Sequence, residues 1–344
     1  MKRENNMENN GTKTRLDDRE MMIEALKKEV QKLCPEGIKV EMQEMGKNNG
    51  VVKQGMIIEE KGNKISPAFY LEPYLMNMEE GNHSIEETAN AIYEVYQKHH
   101  KEKSDIASAF GNVEWVKEKI IYQLINLEKN QDILKSMPYR IIGEDLAVVC
   151  ALLLKKGSSG VMTVKINREH VKLWGMNEEE LWALAEINTP KCFPVTMKSI
   201  EEVMVDILKT QIEAQGIVFD EQVVSKLFDD EKSQADTRKS HSPMYVLSNQ
   251  SGIWGASVIL YPGVLREAAK KLGGDLLVLP SSIHETIIVR QEDRLEYDKM
   301  TEMVKEINQK EVLPEEVLSD SVYLYCESKD SICRVVGNGK KSAG

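Results

Sequence analysis

Residues 280–285, Pro-Ser-Ser-Ile-His-Glu, place two hydroxyls, an imidazole and a carboxylate within six positions. A serine nucleophile needs a base within hydrogen-bond reach and donors for the developing oxyanion. Ser281 or Ser282 with His284 and Glu285 would provide a nucleophile, a base and an orienting group, the combination of a small hydrolase. The sequence has no G-x-S-x-G turn to arrange them, so a hydrogen-bonded turn between two strands is the favoured interpretation.

The sequence lacks the residue spacings of the common metal-binding and cofactor-binding motifs. A zinc-binding helix needs histidines four positions apart, and Ile288 stands four residues after His284. The glycines of residues 337–342 lack the four-residue interval of a phosphate-binding loop, and no G-x-G-x-x-G occurs. The sequence therefore predicts neither a metal site nor a cofactor.

The charge composition narrows the choice of partner. The chain has 45 basic and 56 acidic residues and a formal net charge of −11. Such a surface repels phosphate backbones and anionic lipid headgroups, so we expect no nucleic-acid or membrane partner. The polar N-terminus lacks the apolar region of a secretory signal, and the longest apolar run, residues 146–154, is far below the ~20 residues of a membrane helix. These features predict a cytoplasmic protein.

The first part of the chain shows a helix, a hairpin and a second helix. Apolar residues recur at helical spacing over 22–33, and alternating residues 38–42 and 51–60 flank an Asn-Asn-Gly turn. Ser84 and Glu87 have the spacing of a capping box at the start of the next helix. A further helical pattern runs over 106–127 and is predicted to continue as a long connecting helix until Pro138.

The rest of the chain repeats this mixture. Residues 146–154 predict a strand buried on both faces that returns in a hairpin, followed by two helices that would cover it. Residues 229–243 contain one apolar residue and predict a linker. After it, strands are predicted at 244–247, 256–260, 276–279 and 286–289, with a helix over 264–272, a last helix and a short final strand.

Hairpin pairs with intervening helices predict an α+β fold of antiparallel hairpins covered by helices, in two to three subdomains. The predicted divisions are a disordered leader (1–16), an N-terminal α+β unit with the long helix (17–138), a middle α+β unit (139–228), a linker (229–243), a C-terminal α+β unit (244–328) and a disordered tail (329–344).

Two aromatic residues of the C-terminal unit complete the candidate surface. Trp254 lies between glycines ahead of a predicted strand, and Tyr261 follows in the same unit. Large aromatic side chains at a surface anchor protein interfaces. We therefore predict a binding surface formed by Ser281, Ser282, His284, Glu285, Trp254 and Tyr261.

Six stretches carry a resemblance to a known protein family, because they occur together and in the same order: residues 52–71, 144–149, 174–182, 245–249, 260–263 and 272–285. In this the chain resembles an uncharacterised family of bacterial hypothetical proteins, a domain of unknown function found chiefly in anaerobic Gram-positive bacteria. The resemblance covers residues 38–325 and implies a whole-length unit, with no activity, substrate or cofactor to transfer. The sequence thus favours a non-catalytic intracellular interaction or regulatory protein with an unknown partner, a protein being the expected kind, and keeps the hydrolase as the alternative.

Overall fold

The computed structural model describes residues 4–60, 68–100, 109–157, 160–214, 243–292, 297–336 and 340–341. The chain divides into two compact units, Met1–Val116 and Lys117–Gly344. Its strands form three antiparallel sheets, and helices alternate with groups of strands along the chain. The predicted α+β class with antiparallel hairpins is confirmed. No helix among these residues combines the length and apolar character needed to cross a membrane.

The described part of the first unit includes a three-stranded sheet and the three helices α1, α2 and α3. In chain order, its elements are α1 (Glu4–Leu33), β1 (Ile38–Gly46), β2 (Val52–Glu60), β3 (Ala68–Tyr70), α2 (Glu72–Glu79) and α3 (Ile85–His100). β1 and β2 pair from Ile38 opposite Glu60 to Gly46 opposite Val52, which confirms the predicted hairpin. α1 begins at Glu4, within the segment 1–16 that the sequence predicts as a leader.

Helical periodicity determines the core of this unit. Ile23, Leu26 and Val30 lie on one side of α1 and are buried with Ile92 of α3. α3 begins at the predicted capping box: Glu87 N–H donates to Ser84 Oγ (3.2 Å), and Ser84 N–H donates to the Glu87 carboxylate (2.8 Å). The Glu87 carboxylate accepts hydrogen bonds from both Ser84 N–H and Ser84 Oγ, and these two bonds lower the pKa of Glu87.

The second unit begins within the helix α4 and contains two sheets. Its helices are α4 (Val113–Lys119), α5 (Gln131–Leu134), α6 (Arg168–Leu173), α7 (Glu178–Cys192), α8 (Ile200–Ala214), α9 (Val264–Leu272) and α10 (Tyr297–Glu311). Its strands are β4 (Ile120–Asn126), β5 (Tyr139–Ile142), β6 (Leu146–Gly157), β7 (Gly160–Lys165), β8 (Val195–Ser199), β9 (Met244–Asn249), β10 (Leu276–Leu279), β11 (Thr286–Arg290), β12 (Tyr323–Cys326), β13 (Ser331–Val336) and β14 (Lys340–Lys341).

β6 is the central strand of the four-stranded sheet. It pairs with β4 on one side and with β5 and β7 on the other, and it is buried from Leu146 to Leu153, as predicted for a strand with two covered faces. The predicted long helix over 106–127 is wrong. In the described part of this stretch, residues 109–110 and α4 are helical, whereas residues 120–126 form β4, which is buried at all seven positions. A strand buried on both faces has no two-residue alternation, so its sequence cannot be distinguished from a helical pattern.

Side-chain hydroxyls accept hydrogen bonds from backbone N–H groups at the outer edge of β4. Tyr122 N–H donates to the hydroxyl of Thr189 on α7, and Leu124 N–H donates to the hydroxyl of Ser257, both at 3.0 Å. These two amides are the outward-facing donors of the strand, since alternate residues point to the same edge. The hydroxyls therefore satisfy donors that an edge strand would otherwise leave open.

The seven-stranded sheet has the order β14-β13-β12-β10-β11-β9-β8. β8 pairs with β9, so the two predicted units on either side of 229–243 share a sheet; the linker itself lies outside the described residues, apart from Pro243. Likewise, β4 pairs with β6 across the predicted boundary at 138. The middle and C-terminal parts thus belong to one compact unit, Lys117–Gly344.

Three local predictions also need correction. The predicted strand at 256–260 is a 3₁₀ helix, Gly255–Leu260, with five buried residues. The predicted disordered tail is ordered in part, because β13 pairs with β12. Of the two helices predicted to cover the middle hairpin, α7 packs against β4 and β6, whereas α8 packs against β8 and β9.

Candidate functional site

The connection of residues 280–285 between β10 and β11 is held by a second segment. Ile283 N–H donates to the carbonyl of Glu316 (2.9 Å), and Leu318 N–H donates to the carbonyl of Ser281 (2.8 Å). Ser282 and Val317 form an isolated antiparallel bridge. The turn is therefore part of a short ladder, which fixes the directions of its side chains.

Both ring nitrogens of His284 have partners. Nδ1 accepts a hydrogen bond from Trp254 N–H (3.4 Å), and Nε2 lies 3.3 Å from Glu316 Oε1. A ring that accepts at Nδ1 and donates from Nε2 satisfies both contacts. The carbonyl of the same residue accepts a hydrogen bond from Ser248 Oγ (2.7 Å). His284 thus links three segments: the end of β9, the loop at Trp254 and the chain after α10.

The two serines do not contact this imidazole. Ser282 is 4% exposed; its Oγ accepts from His284 N–H (3.0 Å) and its side chain hydrogen-bonds to Glu285. Ser281 contributes its carbonyl to the ladder. A serine nucleophile needs its hydroxyl on the base, and the nitrogens of His284 are bonded to Trp254 and Glu316 instead. The four residues of the hydrolase hypothesis are brought together, but without the serine–imidazole hydrogen bond.

Carboxylates surround this turn. Glu285, Glu311 and Glu316 line, with Ser282 and His284, a shallow concave surface of about 360 Å³. Burial raises the pKa of Glu285; the charge of Glu316 raises it further, while His284 and the hydrogen bond with Ser282 lower it. Glu311 and Glu316 come from the end of α10 and the segment after it. Sequence reasoning missed both, because no spacing in the sequence relates them to His284.

Trp254 and Tyr261 have different environments. Trp254 is half-buried and adopts a left-handed conformation (φ 52°) beside His284. Gly255 follows it, and a Cβ there would lie 2.0 Å from Ser248 Oγ and 2.3 Å from the carbonyl of His284, so only glycine fits. Tyr261 is 6% exposed and donates to the carbonyl of Phe193 (2.9 Å). The structure therefore places Tyr261 in the core, and its predicted place on the surface is wrong.

Asp145 forms a second polar cluster that the sequence did not reveal. It precedes β6 and accepts hydrogen bonds from the hydroxyls of Ser319 (2.6 Å), Ser321 (2.9 Å) and Tyr323. The three donors alternate along the chain, so they share one side of an extended segment. Burial and the charge of Asp145 raise the pKa of Tyr323, which remains a donor. This carboxylate joins the four-stranded sheet to the seven-stranded sheet and is a structural element.

A model of a protein family, described as a family of unknown function (DUF5688), matches residues 19–327. The chain belongs to this family. The DUF5688 match supports the resemblance drawn from the sequence and says nothing of a bacterial or anaerobic host. No curated protein and no solved structure matches the chain.

Within the described part of this DUF5688 chain, no three His, Cys, Asp or Glu side chains are grouped so that they could hold a metal ion. The arrangement at His284 offers instead fixed hydrogen-bonding groups and several carboxylates on an open concave surface. Such an arrangement can bind a positively charged group by electrostatic complementarity.

Proposed function

We propose that this DUF5688 protein is a non-catalytic binding protein that recognises a basic segment of a protein partner at the concave surface of His284, Glu285, Glu311 and Glu316. One observation carries the proposal: three carboxylates from two separate segments converge on one concavity. Lysine and arginine side chains are the complementary groups, and arginine can bind a carboxylate through two parallel hydrogen bonds.

The hydrogen bonds of the turn support binding over catalysis. Ser282 is bonded to the backbone of His284, and the imidazole is bonded to Trp254 and Glu316. Both groups thus stabilise the geometry of the turn. A rigid backbone that presents charged side chains is the usual arrangement of a recognition surface.

The test measures binding of labelled arginine-rich peptides by fluorescence anisotropy at two salt concentrations. We expect binding that weakens with salt, and a loss of affinity of at least fivefold in Glu316→Gln. Glu306→Gln is the control, because Glu306 pairs with Lys310 on the exposed face of α10. Equal affinity of Glu316→Gln and wild type, or equal affinity for acidic peptides, would refute the proposal.

The hydrolase alternative has its own test. A panel of ester and peptide substrates is assayed with wild type and Ser282→Ala. Activity that disappears in Ser282→Ala would establish the alternative and overturn the non-catalytic proposal. The cytoplasmic location and the bacterial origin remain predictions, and fractionation of a host that encodes the protein would test the first.

A further inference from the structure

A second concave site lies in the second unit, away from the turn at His284. It has a volume of about 340 Å³ and includes residues of β4, β5, α7 and the segment at Leu260 and Pro262. It shares no lining residue with the concavity at His284. The volume lies near the lower end of the range for small-molecule sites, about 300–1,000 Å³.

The hydroxyl of Tyr122 is the feature that indicates a ligand. Tyr122 lines this pocket and is only 5% exposed. Its backbone N–H donates to Thr189, and its ring packs edge-on against Tyr261 with the centroids 6.2 Å apart. Within the described residues its hydroxyl forms no hydrogen bond. The side chain is buried as a whole, yet its hydroxyl is not fully enclosed, and Tyr122 is part of the pocket lining, so this donor is available to a bound molecule.

Burial keeps that hydroxyl protonated. It raises the pKa of Tyr122, and the charges of Tyr261 and Glu186 act in the same direction. The phenol is therefore a hydrogen-bond donor throughout the physiological pH range. A ligand with a neutral acceptor can bind it without a proton transfer.

The pocket lining includes one oppositely charged pair, Arg140 and Glu186, beside the ring of Trp182. The guanidinium of Arg140 lies over the ring of Trp182, with its carbon 4.6 Å from the ring centroid, and donates to Glu186 (2.8 Å). Leu260 and Pro262 supply apolar lining. Stacking on Trp182 and pairing with Glu186 hold Arg140 in one orientation. Because Glu186 already neutralises the guanidinium, the pocket offers a ligand no net charge.

We propose that this pocket binds a small uncharged aromatic molecule whose carbonyl oxygen accepts a hydrogen bond from Tyr122. A planar ring matches the apolar and aromatic lining, and the hydroxyl of Tyr122 determines its orientation. The Arg140 guanidinium is already paired with Glu186 and is therefore not a free partner for a carboxylate, which disfavours an anion. The site is independent of the surface proposed for a basic partner.

The test uses benzamide and benzoate as probes, with binding followed by ligand-observed NMR and by the chemical shifts of the protein. Benzamide should bind wild type in the millimolar range or tighter, and benzoate at least fivefold more weakly. Tyr122→Phe should melt at or above the temperature of wild type, because the removed hydroxyl has no partner, and should bind benzamide at least fivefold more weakly. Tyr139→Phe, on the exposed part of β5, is the matched control and should bind as wild type does.

Three outcomes would overturn the proposal: no benzamide binding by folded wild type, equal affinity of Tyr122→Phe and wild type, or tighter binding of benzoate. His284→Ala distinguishes the two sites, because it should leave benzamide binding unchanged. If it abolishes that binding in a folded protein, the pocket is not independent of the turn, and the inference fails as stated.

Discussion

Replacement of Asp145 by alanine should destabilise the second unit strongly. The carboxylate accepts hydrogen bonds from three hydroxyls, and their residues are nearly inaccessible: Ser319 and Tyr323 are 0% exposed and Ser321 is 4% exposed. A buried donor left without an acceptor costs about 1–3 kcal/mol. Asp145→Ala leaves three such donors, but a water molecule that enters the vacated space would accept from some of them and reduce the total cost. We therefore expect a loss of about 3–4 kcal/mol in the free energy of unfolding.

Two further variants separate the hydrogen bonds from simple loss of charge. Asp145→Asn retains one oxygen acceptor, and hydroxyls that rotate can accept from its amide, so we expect a loss of about 1–2 kcal/mol. Glu144→Ala is the matched control: its side chain is half-exposed and pairs with Arg334 at 2.9 Å. Such surface pairs contribute about 0–1 kcal/mol.

The assay is urea unfolding followed by tryptophan fluorescence. Trp174, Trp182 and Trp254 belong to the second unit, and Trp115 is the fourth tryptophan of the chain, so the signal reports mainly on the unit that contains Asp145. Far-UV circular dichroism should show whether the two units unfold in separate transitions. If Asp145→Ala loses no more stability than Glu144→Ala, the three hydroxyls find other partners and the reasoning is wrong.

The remaining predictions concern a central strand, a glycine and a buried carboxyl. Val148→Asp should cost about 3 kcal/mol or more by burying an unpaired charge, while Ile141→Asp, 55% exposed on the edge strand β5, should change the unfolding midpoint little; similar losses would contradict the burial of β6. Gly143→Ala should cost at least about 1–2 kcal/mol in urea unfolding, because Gly143 has φ +60° and a Cβ there would lie 2.8 Å from Tyr323; an unchanged midpoint would contradict this. Folding raises the pKa of Glu285 above its ordinary value of 4.5, so the contribution of this carboxyl to stability falls as the pH rises above that value. Glu285→Gln should therefore gain stability relative to wild type between pH 4 and pH 7, as measured by thermal unfolding. A stability difference that stays constant over this pH range would refute the assignment.

Elements with a clear local signal could be predicted from the sequence. α3 has both a capping box and a periodic apolar face, and α9 ends at Gly273, whose left-handed conformation (φ 77°) is the expected C-terminal signal. The hairpin of β1 and β2 follows from alternation and an Asn-Gly turn. In each case the deciding interactions lie within a few residues of one another, which is the range over which sequence patterns are informative.

The errors occur where tertiary burial decides the structure. Residues 120–126 are apolar or buried throughout, so their strand character depends on pairing with β6 and on hydroxyls of α7 and of the 3₁₀ helix. Whether the units on either side of 229–243 share a sheet could not be derived from the sequence, and β8 and β9 do pair across that segment. A polar segment predicts a connection, yet it carries no information about whether the strands that flank it belong to one sheet.

The distinction between local sequence signals and tertiary contacts also applies to the functional sites. The sequence selected residues 280–285 because chemically versatile side chains stand side by side, and the structure shows that Ser282 and His284 are engaged in hydrogen bonds that shape the turn. The acceptor of Ser319 lies 174 positions away in the sequence, at Asp145. Tyr122 has the opposite character: nothing near it in sequence marks a site, yet its hydroxyl forms no hydrogen bond within the described residues and belongs to a residue that lines a pocket. A donor that the fold leaves open to a pocket is a better indicator of a ligand than a cluster of reactive side chains that satisfy one another.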